Sequence, residues 1–204
     1  YLQSYTTALK DKPTKERPFR KAYIDAFAGT GYIGRRHSDE EASSPSLFFP
    51  DLARPDTKEL LDGSARIALK TEPRFDRYIF IESSAKRCAH LETLKTEFPD
   101  LAGSIDIRKG DANEEIQRIC KRRWTSHRAV LFLDPYGMQV EWKTLEAVAG
   151  TRAIDLWLLF PLGIGINRLL TRTGDIPESW RKRLDVLLGT QDWFNELYSV
   201  ERTR

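Results

Sequence analysis

The chain has 204 residues, 40% hydrophobic and 31% charged, and carries a formal net charge of +3. That suits one soluble globular domain, or one domain with an appendage, and leaves a sizeable core to bury. No apolar run is long enough to span a bilayer, which sets aside a membrane-spanning protein, and the mildly basic balance permits nucleic-acid contact without arguing for it.

Residues 1–10, YLQSYTTALK, read as a short helix, followed by a basic, proline-broken connector, DKPTKERPFRK. AYIDAF (22–27) reads as a buried strand with AGTG as its exit turn, and residues 32–62, interrupted by Pro45, Pro50 and Pro55, read as irregular. A helix begins in GSARIALKTE, with Asp62 or Ser64 as its N-cap. RYIFIE (77–82) is a second strand, SSAKRCAHLETLKTEF a helix that ends before Pro99, and SIDIRKGD (104–111) a third strand. ANEEIQRICKRRW is a helix, AVLFLD (129–134) a fourth strand, EWKTLEAVA a helix and AIDLWLLFP (153–161) a fifth strand. From Ile164 onward the sequence reads as helices broken by Gly174, Pro177 and Gly189. Near-continuously apolar strands alternating with helices predict an α/β fold with a mostly parallel, doubly wound sheet.

In such sheets ligands sit at the carboxyl ends of the strands. The first end is Asp25-Ala26-Phe27-Ala28-Gly29-Thr30-Gly31, whose glycines let the backbone turn tightly against a ligand. The second is Glu82-Ser83, an acidic residue placed for ribose hydroxyls. The third is Gly110-Asp111-Ala112, where a carboxylate suits an adenine amino group. The fourth is Asp134-Pro135-Tyr136-Gly137. A single acidic residue at a strand end is commonly a helix N-cap, but such ends on four strands in succession point to an adenosine-like ligand. Gly29, Gly31 and Gly34 satisfy a dinucleotide spacing, yet no helix start follows them to receive a pyrophosphate. Asp25 beside the turn would repel phosphate and suits an ammonium group, which favours S-adenosyl-L-methionine as the cofactor.

The segments DAFAGTG, FIESS, KGDA and LFLDPYG resemble the successive motifs of class I S-adenosylmethionine-dependent methyltransferases. With YLQSYTTAL, DGSARIAL, LLFPLGIGINRLL and GTQDWFNELY in order, the chain is similar over nearly its whole length to the three-Cys-motif partner (TcmP) proteins. The resemblance implies a Rossmann-like core over 1–161 and a helical extension of the same domain over 162–204. It implies that Asp25, Phe27, Ala28, Gly29, Thr30 and Gly31 face the methionine part of the cofactor, that Glu82 and Ser83 hold the ribose, and that Asp111 and Ala112 meet the adenine. Asp134, Pro135, Tyr136 and Gly137 would face the substrate. Related turns in amino-methyltransferases hold a flipped base, accept hydrogen bonds from its exocyclic amine and stack an aromatic on it. The implied activity is methyl transfer to a nucleobase amine in DNA or RNA. The alternative is a non-catalytic, bacterial partner of a radical-S-adenosylmethionine-like three-Cys-motif protein. The class I fold has seven strands and only five are legible here. The last two are expected beyond Arg204 or absent, and Tyr1, which is not a methionine, leads us to expect further residues before it.

Two basic segments, KRRWTSHR (121–128) and RPFRK (17–21), mix cations with aromatics. Each has a nucleic-acid reading, and each is read more simply as a solvated helix end and a connector. SSPSLFFPD (43–51) is either a lid over the site or a packed surface loop. Trp180 and Trp193 are expected to anchor the C-terminal helices. Cys88 and Cys120 are expected as buried or half-buried free thiols, which fits a reducing, cytoplasmic setting. His37, His90 and His127 are scattered, so no metal site is expected.

Overall fold

The computed structural model describes residues 1–30, 32–33, 61–171 and 173–198. Helix α1 is Leu2–Ala8, and strand β1 is Arg20–Asp25. Strands β2 (Tyr32–Ile33) and β3 (Leu61–Asp62) pair antiparallel at the two ends of the segment expected to be irregular. Helix α2 (Ser64–Lys70), strand β4 (Arg77–Glu82), helix α3 (Ala85–Glu97) and a 3₁₀ turn over Pro99–Ser104 follow. Next come strand β5 (Ile105–Lys109), helix α4 (Ala112–Cys120), strand β6 (His127–Leu133), helix α5 (Trp142–Thr151) and strand β7 (Ile154–Leu158). A π turn over Leu162–Ile166 runs into α6 (Asn167–Leu169), and α7 (Glu178–Leu188) and α8 (Asp192–Tyr198) complete the described chain.

The five long strands form one sheet in the order β5-β4-β1-β6-β7, with every adjacent pair parallel. This is a Rossmann-like α/β arrangement whose direction of winding reverses between β1 and β6. Alternation along the strands assigns side chains to two apolar layers. Tyr23, Tyr78, Phe80 and Val130 face one side, where Tyr5 of α1, Ala65, Ala68 and Leu69 of α2, and Leu91 and Leu94 of α3 cover them. Ile24, Ile79, Ile81, Leu131 and Leu133 face the other, under Ile116 and Ile119 of α4 and Val148 of α5. A third cluster gathers Ile166, Leu169, Leu184, Leu187 and Trp193, and Met138 from the loop after β6 packs against it.

Several boundaries differ from the sequence expectation. β1 begins at Arg20 and ends at Asp25, so Ala26 and Phe27 belong to the turn. The α2 cap is Gly63 rather than Asp62 or Ser64: Asp62 pairs with Lys70 at 2.6 Å, and the Ser64 hydroxyl donates to Asp25. α4 stops at Cys120, leaving the basic run 121–124 as its exit. β7 is shorter than AIDLWLLFP and is not a buried strand. It is the sheet edge, with Leu156 36% and Trp157 47% exposed; α5 packs on one face, and on the other Tyr1 reaches Trp157 at 4.6 Å between ring centres. Among the described residues no strand follows Leu158. Trp193 is an anchor, its indole N–H donating to Asp185 at 2.7 Å, whereas Trp180 stands 36% exposed and is not. Cys88 and Cys120 are half-buried and free, and burial pushes both thiols up.

Gly189 ends α7 in the left-handed conformation, φ 71°, with Trp142 of α5 against it. A side chain there would lie 2.8 Å from the Trp142 Cβ and run into Cγ and Cδ1. Gly189→Ala is expected to destabilise the protein by about 2–5 kcal/mol, from left-handed strain of roughly 1–2 kcal/mol and overpacking of roughly 1–3 kcal/mol. Urea unfolding checks this, and an unchanged midpoint would mean that the α5–α7 contact is not tight.

Candidate functional site

The carboxyl ends of β5, β4, β1 and β6 stand side by side, so Asp111, Glu82, Asp25 and Asp134 form a row in that spatial order. At roughly 4.8 Å between strands, the row is about 14 Å long. Backbone bonds stitch the exit turns together: Ala28 N–H donates to the Ile81 carbonyl at 3.2 Å, and Gly110 N–H to the Glu82 carbonyl at 3.1 Å.

Asp25 is 1% exposed. Its Oδ1 accepts the Phe27 amide at 3.3 Å, and its Oδ2 accepts from the Ser64 and Tyr23 hydroxyls. Asp25 therefore shapes the turn it begins. Burial pushes its carboxyl up to about 6, against the pull of the Ser64 hydroxyl and the Phe27 amide, and the negative charge of Asp134 adds to the rise. Phe27 and Thr30 are half-buried, Ala28 is buried, and Gly29 carries φ 61°. A left-handed residue at this turn is strained with any side chain, although the space beside Gly29 is open. Gly31 lies outside the described residues, as does the 43–51 segment.

Glu82 is 5% exposed and ties two turns together. Its Oε2 accepts the Gly29 amide at 3.1 Å, while Oε1 accepts the Ser84 amide at 2.8 Å and the Ser83 hydroxyl at 3.3 Å. Arg87 pairs with Oε1 at 2.9 Å. Burial pushes this carboxyl up, but the Arg87 guanidinium and the Ser84 amide outweigh it and hold it below the ordinary glutamate value. Asp111 is exposed and caps α4, accepting the Glu114 amide at 3.1 Å, with Ala112 buried behind it.

Asp134 does not cap the helix that follows it. α5 begins at Trp142 with Glu141 in the cap position, and the Asp134 carboxylate makes no hydrogen bond among the described residues. It stands at the surface, yet nearby protein withdraws enough water to push it up. Pro135 and Gly137 (φ 73°) shape the turn, and Tyr136 is 68% exposed. Sequence reasoning missed the residue that fixes this loop. Asn113, buried at the start of α4, donates Nδ2–H to the Gln139 carbonyl at 2.8 Å, and its Oδ1 accepts the Glu141 amide at 3.0 Å and the Thr144 hydroxyl at 2.9 Å. Gln139 in turn accepts the Tyr136 amide through Oε1 at 3.2 Å. Asn113 follows GDA in the chain, and nothing local distinguishes it from an ordinary polar residue in a first helical turn.

The four strand-end side chains are all acidic, and α2 starts against Asp25, its first residue Ser64 donating to the carboxylate. Among the described residues no group of three His, Cys, Asp or Glu is placed to hold a metal ion, and no helix is long and apolar enough to cross a membrane.

No protein-family model matches the chain, and no curated protein matches it. Among solved structures, a conserved hypothetical protein from Streptococcus pyogenes is similar at 16% identity with a TM-score of 0.40, covering 67% of this chain and 62% of that one. This chain thus spans less than two thirds of that protein's length, and the likeness bears on neither activity nor partner.

Proposed function

We propose that the protein is an S-adenosylmethionine-dependent methyltransferase of the class I kind, acting on an exocyclic amine of a nucleobase in DNA or RNA. The observation that supports this best is the row of strand ends Asp111, Glu82, Asp25 and Asp134 across four adjacent strands. That is the order in which adenine, ribose, methionine and acceptor follow one another in the reactive complex. The strand-end side chains fit the cofactor's chemistry: carboxylates suit a ligand bearing an ammonium and a sulfonium, and would repel the pyrophosphate of a nicotinamide dinucleotide.

When bound, S-adenosylmethionine supplies an electrophilic methyl carbon on sulfur. Asp111 keeps one carboxylate oxygen for the adenine amine while capping α4. Glu82 accepts from the ribose while its bond to the Gly29 amide sets the first turn at the right height. Asp25 holds that turn and contributes negative charge behind it. Asp134, free of any capping duty, and the Pro135 carbonyl accept hydrogen bonds from the substrate amine. They hold its lone pair in line with the methyl carbon, which supplies much of the rate. Tyr136 lies open for stacking on the base. Asp134 would stand beside the amine nitrogen to receive the proton it sheds on gaining the methyl group, as the methyl carbon–sulfur bond breaks and S-adenosylhomocysteine leaves.

A second reading is favoured by one observation. Leu156, Trp157, Leu159, Phe160 and Leu162 are all exposed along β7 and its exit. Exposed apolar side chains gathered along one segment commonly mark an interaction surface, and these suit a non-catalytic partner of a three-Cys-motif protein. Calorimetry with S-adenosylmethionine and S-adenosylhomocysteine tests the first reading, followed by labelled-methyl transfer to RNA and DNA. Micromolar binding with label in nucleic acid is the expected result. Absence of binding by the folded protein would remove the enzyme and leave the partner reading.

A further inference from the structure

A cavity of about 600 Å³ opens at the other end of the sheet, where β1, β4 and β6 begin. Strands of this length separate it from the acidic row by roughly 20 Å. Its position unites the two basic segments: Arg20 pairs with His127 in the β1–β6 ladder, so 17–21 and 121–128 converge on one opening. Arg128 lies over the Phe19 ring at 3.8 Å and locks the segments together.

The cations around this cavity fall into two groups. Arg77 and Arg108 both pair with Asp106, at 3.5 and 2.8 Å, and Arg108 pairs also with Glu115 at 3.4 Å. Arg20, Lys21, Arg122 and Arg123 make no ion pair among the described residues. Among the described residues the only carboxylate lining the cavity is Asp76, which accepts the Lys21 backbone amide at 2.6 Å. The floor is apolar, formed by Ala22, Ile79 and Ile119. Trp124 lines the wall, and its indole Nε1 is buried with no hydrogen-bond partner among the described residues. A buried orphan donor is uncommon and calls for an acceptor.

An apolar floor, an indole in the wall whose buried N–H has no partner among the described residues, and a rim of arginines without ion pairs match the parts of a nucleotide: a base, an acceptor on its edge and a phosphate. We propose that this cavity binds a phosphorylated nucleotide, with Arg20, Arg122 and Arg123 on the phosphate and Trp124 donating to the base. The site is independent of the methyltransferase reading and stands whether or not that reading holds. The same chemistry is offered by a free nucleotide and by a nucleotide within a single strand, and the ligands in the test separate the two.

The test uses the whole chain without S-adenosylmethionine. AMP and adenosine are titrated by calorimetry, and short labelled single strands of RNA and DNA are followed by fluorescence anisotropy. AMP is expected to bind at least about tenfold more tightly than adenosine, since a phosphate gains charge-assisted bonds. Arg122→Ala combined with Arg123→Ala, both exposed and past the end of α4, should weaken binding by about tenfold or more at an unchanged melting temperature. Trp124→Phe keeps the ring and removes the donor, and should weaken binding by several-fold without altering the salt dependence. Tighter binding of strands than of AMP, with a log–log salt slope near about −2, assigns the site to nucleic acid. AMP binding as tight as strand binding assigns it to a free nucleotide. Equal binding of AMP and adenosine, competition by polyglutamate as strong as by AMP, or indifference to the paired arginine substitutions would overturn the proposal.

Discussion

Asp134→Ala is expected to lower methyl transfer by about 10²–10³-fold, the usual cost of removing one preorganised polar partner from a reacting group. Binding of S-adenosylmethionine should be unchanged, because Asp134 lies at the substrate end of the row and its carboxylate makes no hydrogen bond within the described residues. For the same reason the folded state loses nothing, so the melting temperature should not fall. Asp134→Asn keeps an oxygen acceptor and should retain more activity than the alanine variant. The loss arises from geometry, since a misplacement of about 1 Å in the attacking nitrogen already costs on the order of 10²-fold. Labelled-methyl assays at saturating cofactor, run beside calorimetry, separate the two effects. Equal activity of wild type and Asp134→Ala would move the acceptor site elsewhere.

Asp25→Asn should have opposite effects on stability and on cofactor binding. The buried Asp25 carboxyl is pushed up from 3.8 to about 6, so the folded protein holds the proton more tightly than the unfolded chain does. The sign follows: this contribution to stability is fully present below about pH 3.8 and is lost as pH rises through about 6. At pH 8 the charged, buried carboxylate costs on the order of 3 kcal/mol relative to its protonated form, at about 1.4 kcal/mol per unit. Asn removes that cost and still offers Oδ1 to the Phe27 amide. The variant should therefore unfold at higher urea than wild type at pH 8, with the gap narrowing toward pH 5. Glu82 and Asp106, both held below their ordinary values, act in the opposite sense but at more acidic pH. Cofactor affinity should fall by about tenfold, because the negative charge behind the ammonium is gone. Equal stability of the two proteins at pH 8 would mean that Asp25 is already protonated or well solvated there.

The parallel sheet was legible because its strands announce themselves twice. RYIFIE and VLFL are too apolar for a one-sided sheet, and helices sit between them at regular intervals. The strand-end row was legible for the same reason, since fold rules place ligands at carboxyl ends without any contact being known. What local reading could not reach depended on distant partners. The exposure of Trp157 depends on β7 being the sheet edge, which its sequence does not state. The role of Asn113 depends on Gln139 and Glu141 arriving beside it from the loop after β6. The basic segments were each unremarkable alone; only the β1–β6 register brings them together. Asp134 was open to a capping role until the cap of α5 proved to be seven positions later, at Glu141.

The sheet order also governs how the chain is made. β1 is the earliest of the long strands and lies in the centre of the sheet, yet both neighbours are encoded later, Arg20 waiting for His127. At a synthesis rate of about 5–20 residues per second, that wait is on the order of 5–20 s on the ribosome. Until β4 is made, Tyr23 and Ile24 have neither of their adjacent strands, and until β6 is made they have only one. Parallel pairings of such sequence separation close slowly even in a free chain. A nascent chain of this protein is therefore a natural client for holding chaperones, and recovery of folded protein should depend more on translation speed and chaperone supply than on the stability of the finished sheet.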